Sequence, residues 1–186
     1  MREKTEVIEN PVNASFEVAV ERFLLPLVGD PEVIKSIGDF GCAFFFEAPV
    51  LRNYFPTASI IGVDYDSARL DGAELANLEV EGIVYQEADL EEDDVLAGEP
   101  FDLIVFRRPG PMDRGYWQGI VRKSIQRLNE RGFVLATFAN GVSYYNFLRI
   151  LEEVSVEKKL GGSLNLMPGA SEQFAVACKL IRSNSK

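Results

Sequence analysis

Apolar runs of strand length recur along the middle of this chain, and stretches of helical periodicity separate them. That alternation restricts the fold more than any other feature. Strands joined through helices run parallel, and the helices must cover both faces of the sheet. Strands are read at Ser36-Ile37-Gly38-Asp39-Phe40, Ser59 to Asp64, Gly82 to Gln86, Phe101 to Phe106 and Phe133 to Ala139. The fourth is apolar on both faces at its end, as a central parallel strand should be. A first helix is expected from the spacing of Phe16, Val20, Phe23, Leu24 and Leu27, capped by Asn13 or Ser15 and ended by Pro26 and Gly29. Another runs from Asp66 to about Leu78. A third, capped by Asp113, carries the stripe Trp117, Ile120, Val121, Ile125 and Leu128, which makes Trp117 a core residue; Gly132 should stop it in the left-handed conformation. A last helix spans Tyr144 to about Val154. Two final strands, Val154–Leu160 and Gln173–Ile181, have no helix between them, and a short Gly/Pro-containing link joins antiparallel neighbours. The expected fold is a three-layer αβα sandwich. Its seven-stranded sheet is mostly parallel, with the last strand antiparallel.

The chain has 186 residues, enough for one domain at roughly 100–200 residues each. Residues 1–12 read as a polar leader and 13–186 as a single domain, with no internal repeat or linker. Nineteen basic against twenty-nine acidic side chains leave a net charge of −10. That disfavours nucleic acid as a partner, because gripping phosphates needs clustered Lys and Arg. Histidine is absent, which excludes Ser-His-Asp and Cys-His catalysis and histidine-held zinc or haem. The acidic run Glu91-Glu92-Asp93-Asp94 reads as a solvated loop rather than a metal site, since adjacent carboxylates repel and diverge. Cys42 and Cys178 are far apart and form no CxxC. Cys42 reads as a small packing residue, and no disulfide framework is expected. The N-terminal residues carry no apolar core of a signal peptide, and no apolar stretch reaches membrane-spanning length. A reducing cytoplasm is the expected compartment.

In a doubly wound sheet, ligands bind beyond the carboxyl ends of the strands. The residues there are Asp39-Phe40-Gly41-Cys42-Ala43, Asp64-Tyr65-Asp66, Ala88-Asp89-Leu90 and Arg107-Arg108-Pro109-Gly110-Pro111. A carboxylate in this place can accept from ribose hydroxyls or from a purine amino group. Each has a structural reading beside the functional one. Asp39 could accept turn amides, Asp64 and Asp66 could cap the next helix, Asp89 could be merely solvated, and Arg107 and Arg108 could be surface charges.

The order of these motifs resembles the class I S-adenosylmethionine-dependent methyltransferases. Ile37-Gly38-Asp39-Phe40-Gly41-Cys42-Ala43 resembles the family's first motif, a strand leading into Asp-x-Gly-x-Gly. Asp64 matches the acid ending the second strand, Asp89 the third-strand acid, and Phe101-Asp102-Leu103-Ile104-Val105-Phe106 the fourth-strand motif. The resemblance, over roughly residues 16–181, implies S-adenosylmethionine as cofactor. Asp39, Gly41, Asp64, Tyr65, Asp89 and Phe106 would be cofactor-binding residues. Gly41 would lie by the amino-acid part, Asp64 on the ribose, Tyr65 on the adenine face and Asp89 at the adenine amino group. Arg107 and Arg108 would hold an anionic group of the substrate. No residue is assigned the catalytic step, and the methyl acceptor is a small molecule or protein left unidentified. Ala43 stands in place of the family's second glycine and Phe45 near its third. The Phe44-Phe45-Phe46 rings are expected to fill or lid the methionine end of the pocket, and Pro49 should delay the next helix to about Glu47. Arg107-Arg108-Pro109 replaces the Asn-Pro-Pro-Tyr of members that methylate amino and amide nitrogens, which argues against DNA adenine or glutamine as acceptor. The departures also leave open a methyltransferase-like binding or scaffold protein without activity. A dinucleotide oxidoreductase ranks last, because G-x-G-x-x-G is missing.

Overall fold

In the computed structural model, which describes residues 13–92, 100–110, 116–153, 156–164, 170 and 172–180, seven strands form one sheet. They are β1 (Ser36–Phe40), β2 (Ser59–Asp64), β3 (Ile83–Glu87), β4 (Phe101–Arg107), β5 (Leu128–Phe138), β6 (Val156–Ser163) and β7 (Phe174–Leu180). Their order is β3-β2-β1-β4-β5-β7-β6. The first five pair in parallel, and β7 runs antiparallel to β5 and to β6. This is the sheet expected from the sequence, with β7 inserted between β5 and β6.

Among the described residues, six α-helices cover it: α1 (Ala14–Ala19), α2 (Leu25–Val28), α3 (Ala48–Tyr54), α4 (Ser67–Ala76), α5 (Tyr116–Ile125) and α6 (Gly141–Leu151). Alternation along the strands sorts the core into two layers. Ile37, Ile60, Leu103, Val105 and Leu135 face Phe16, Val20, Leu24 and Leu51. Phe40, Val63, Ile104, Phe106 and Val134 face Ile120, Val121, Phe147 and Ile150. Asp66 caps α4 by accepting from Ala68 and Arg69 amides, and Asn140 caps α6 by accepting from Ser143 N. α6 therefore starts before Tyr144.

Other local features differ from the sequence reading. Asn13 heads α1 but makes no side-chain cap there. Pro26 does not end the first helix. A π-helical turn, Val20–Leu24, precedes it, with Leu25 N–H donating to Val20 O five residues back, and the chain continues to Gly29 at φ 75°. Widening one turn accommodates a ring that would otherwise clash with the preceding turn. Gly132 is not a left-handed helix stop. α5 ends at Ile125, Leu128 already opens β5, and Gly132 lies within that strand. The pairing jumps from Phe101↔Leu128 to Leu103↔Phe133, so β5 is irregular between these positions. Pro49 lies in the first turn of α3, which begins after Glu47, as expected. The leader 1–12, Asp93, Asp94, Pro111, the Asp113 cap, Val154 and Ile181 lie outside the described residues. Among those described, no helix is long and apolar enough to cross a membrane.

Candidate functional site

The strand order reverses between β1 and β4, and a crevice forms at such a point beyond the strand ends. A cavity of about 480 Å³ opens there, within the range of about 300–1,000 Å³ usual for small-molecule sites. Asp64, ending β2, lines it while only 3% exposed. Its Oδ2 accepts from Ala43 N at 2.9 Å and its Oδ1 from Asp66 N at 3.1 Å. The carboxylate thus pins two loops and still has lone pairs for a ligand. Tyr65 stands at the rim, 61% exposed. Ala88 and Leu90 supply an apolar wall. Arg69 of α4 lines the same end and pairs with Asp66 at 3.1 Å.

The β1–α3 loop forms the facing wall. Gly41 has φ 75°, and Ala43 and Phe45 both have φ 48°, a left-handed region that favours glycine. Gly41 N and Cys42 N donate to Val63 O at 2.8 and 3.1 Å, and Phe45 N donates to Cys42 O. Trp117 lies across this wall. A Cβ added to Gly41 would sit 2.6 Å from its Cη2, and one added to Gly110 would sit 2.6 Å from its Nε1. Trp117 is therefore not simply a core residue of the α5 stripe. It packs on the core from one side and lines the cavity with the other.

The phenylalanine run does not lid the cavity. Phe45 is wholly buried, seated against Gly62 and edge-on to Tyr85. Phe44 and Phe46 stack on each other at 5.7 Å on the outer side of the loop, and none of the three lines the cavity. Alternating orientation along the twisted loop sends the middle ring inward. Cys42 is buried as expected, and burial pushes its thiol up, so it stays neutral.

Beneath the cavity is a buried charge cluster. Arg107, last in β4, is 7% exposed. It pairs with Glu47 at 2.8 Å and Glu172 at 2.7 Å and donates to Asn13 Oδ1 at 3.1 Å. Burial opposes its charge, and Glu47 and Glu172 more than offset that. Asn13, freed from capping, donates in turn to Phe46 O. Arg108, at φ 48°, places Nε 3.4 Å from Glu172. Asp39 is wholly buried, and among the described residues neither of its oxygens meets a donor. Burial first, and the neighbouring Glu47 next, hold its carboxyl well above the usual range.

The structure brings Gly41, Asp64, Tyr65, Arg107 and Arg108 to one cavity. It places Asp39 and Phe106 in the buried layer, Phe106 between the rings of Phe40 and Phe147. Asp89 is exposed and accepts from Glu91 N at 2.9 Å, apart from the cavity lining. Sequence reasoning missed Trp117, Arg69, Glu47 and Glu172. Trp117 had a signal, its place in the first turn of a helix that follows a parallel strand. Glu172, far along the chain, had none.

No protein-family model matches this sequence, and no curated protein does. Many solved structures share the fold. N-methyltransferase NodS from Bradyrhizobium japonicum WM9, in complex with S-adenosyl-L-homocysteine, is 14% identical and superposes with a TM-score of 0.69 over 94% of this chain and 90% of its own. An S-adenosylmethionine-dependent O-methyltransferase from Thermotoga maritima is 12% identical, with a TM-score of 0.71 over 98% of this chain and 69% of its own. An rRNA methylase from Streptococcus thermophilus is 15% identical, with a TM-score of 0.62 over 95% and 99%. The sheet and its flanking helices are those of the Rossmann-like methyltransferase fold.

Proposed function

We propose that this chain is an S-adenosylmethionine-dependent methyltransferase acting on a small-molecule or protein acceptor. The observation that carries the reading is the Asp64 carboxylate, buried at the end of β2 yet lining the switch-point cavity, with the exposed Tyr65 ring beside it. That pair suits a nucleoside: an acceptor for two ribose hydroxyls and a flat face for a purine. Ala88 and Leu90 give the purine an apolar wall and exclude water from it. The bound cofactor supplies a methyl group already activated on a sulfonium. The chain has then to orient cofactor and acceptor, a task that needs no histidine.

Gly41, Asp64 and Tyr65 are the direct contacts in this reading. Asp39 and Phe106 support them from the layer below, and Asp89 stands beyond the Ala88–Leu90 wall. Arg107 is committed to Glu47 and Glu172 and fixes the floor. Arg108, with a side chain 41% exposed, is the group that meets an anionic part of the acceptor. The net charge of −10 favours a small-molecule or protein acceptor over nucleic acid.

Calorimetric titration with S-adenosylhomocysteine tests the reading. The wild-type chain should bind it, and Asp64→Ala should weaken binding by about tenfold or more, since a hydrogen bond to a charged group contributes about 1.5–3 kcal/mol. Absence of binding to the wild-type chain at millimolar ligand would leave a scaffold in place of an enzyme.

A further inference from the structure

The two ends of the cavity are built differently. Toward β2 and β3 it offers a carboxylate, a tyrosine ring and an apolar wall, the fittings of a nucleoside site. Toward β1 and β4 the Trp117 side chain projects into the crevice beside Arg107 and Arg108. The six-membered edge of the Trp117 indole fills the space that a side chain at Gly41 would take, with Cη2, Cζ2 and Cζ3 all near that point. The pyrrole edge does the same at Gly110. A glycine permits close approach of whatever lies against it, and here that neighbour is the indole. The backbone around it is also engaged. Gly41 N and Cys42 N donate to Val63 O, and Ala43 N donates to Asp64. Glu47, where α3 begins, is ion-paired to Arg107, and Pro49 in the first turn has no N–H. Each of these loop groups is engaged within the fold or has no N–H to offer.

We propose that Trp117 is the specificity-determining residue of this cavity: its indole closes the site just beyond the 5′ position of a bound adenosine, and a ligand with an amino-acid extension binds only when the indole leaves Gly41. The inference rests on the cofactor reading above and adds to it a selectivity that the fold does not impose. The closed arrangement accepts a truncated nucleoside thioether and excludes the full-length one. The affinity of the longer ligand is scaled down by the fraction of molecules with the indole displaced.

The test compares 5′-methylthioadenosine with S-adenosylhomocysteine, which share the nucleoside and the sulfur and differ in the amino-acid part. Both are titrated calorimetrically into the full-length wild-type chain, Trp117→Phe and Trp117→Ala. Phenylalanine keeps a ring on the core and shortens the edge over Gly41, so it serves if the alanine variant does not fold. The wild-type chain should bind the two ligands within about threefold of each other, and both variants should tighten S-adenosylhomocysteine by about tenfold or more while shifting methylthioadenosine by no more than about threefold. Trp117 is the chain's sole tryptophan, so its emission should change on adding S-adenosylhomocysteine and stay nearly constant with methylthioadenosine. Wild-type preference for S-adenosylhomocysteine of about tenfold or more, or variants that leave it unchanged or weaken it, would overturn the role of Trp117 and leave the cofactor reading standing. Failure of every form to bind either ligand would overturn both.

Discussion

Asp39 is wholly enclosed, and Glu47 is a neighbouring acid. Burial in a dry place disfavours the charged form of a carboxyl, and a like charge nearby disfavours it further. Burial first and Glu47 next keep a proton on the Asp39 carboxyl to higher pH than usual, although Arg107 pulls the other way. The consequence is a defined pH dependence. The unfolded chain releases this proton near pH ~3.9, whereas the folded chain keeps it to higher pH. Over that window the native state binds more protons than the unfolded one, so this residue lowers stability as pH rises. Asp39→Asn removes the titration and retains the shape. Its Tm should therefore exceed that of the wild type at about pH 7, with a gap that narrows toward about pH 4 as both forms become neutral. Calorimetric melting at several pH values reads this directly, and a gap independent of pH would show that Asp39 is ionised in the fold. Asp64, at the end of β2, is the contrasting acid. Its two backbone amides at 2.9 and 3.1 Å make it a fixing point for the loop, more structural than its place after an apolar strand suggests.

The β1–α3 loop shows what an element can hide from its sequence. Phe44-Phe45-Phe46 looks like three equivalent rings, yet only Phe45 is wholly buried while Phe44 is 44% exposed. The partner of Phe45 is an absence: Gly62, in the middle of β2, where an added Cβ would fall 2.6 Å from the Phe45 ring and 3.0 Å from Cys42 Sγ. A glycine inside a strand often marks such an approach, so this packing left a trace in the sequence. Phe45→Ala should cost about 3–5 kcal/mol by opening a cavity, and Gly62→Ala about 1–3 kcal/mol by forcing the ring aside. Chemical denaturation measures both. Losses below about 1 kcal/mol in the two variants would place Phe45 outside the core. The strands themselves were legible because buried parallel strands are continuous apolar runs, and β1, β2 and β4 fall where those runs lie. Gly132 was misread because a glycine after an apolar stripe looks alike at the end of a helix and in an irregular strand. Leu128, taken for the last residue of that stripe, pairs with Phe101 instead.

At the scale of the whole molecule, the direct cavity residues were readable from their places after strands. The charge cluster below them was not, because its members come from four distant parts of the chain. Arg107 at the end of β4 reaches Asn13 before α1, Glu47 before α3 and Glu172 before β7. No spacing rule connects residues 13, 47, 107 and 172. The cluster matters because it fastens the N-terminal helix, the β1–α3 loop and the β6–β7 connection to one point under the cavity. Its geometry also separates two neighbouring arginines. The side chain of Arg107 is 3% exposed and answers two carboxylates, while that of Arg108 is 41% exposed and touches Glu172 at 3.4 Å. Arg107→Ala leaves Glu47 buried without its cation and Glu172 with the longer contact to Arg108, and should cost about 3–5 kcal/mol. Arg108→Ala removes a partly solvated contact and should cost about 0–1 kcal/mol. Urea unfolding of the two variants against the wild type makes the comparison, and the large loss should be accompanied by loosening of the first helix, seen as faster amide exchange at Phe16 and Val20. If Arg108→Ala proved the more damaging of the two, the floor of the site would rest on the exposed arginine, and the assignment of Arg107 to the fold and Arg108 to the acceptor would be reversed.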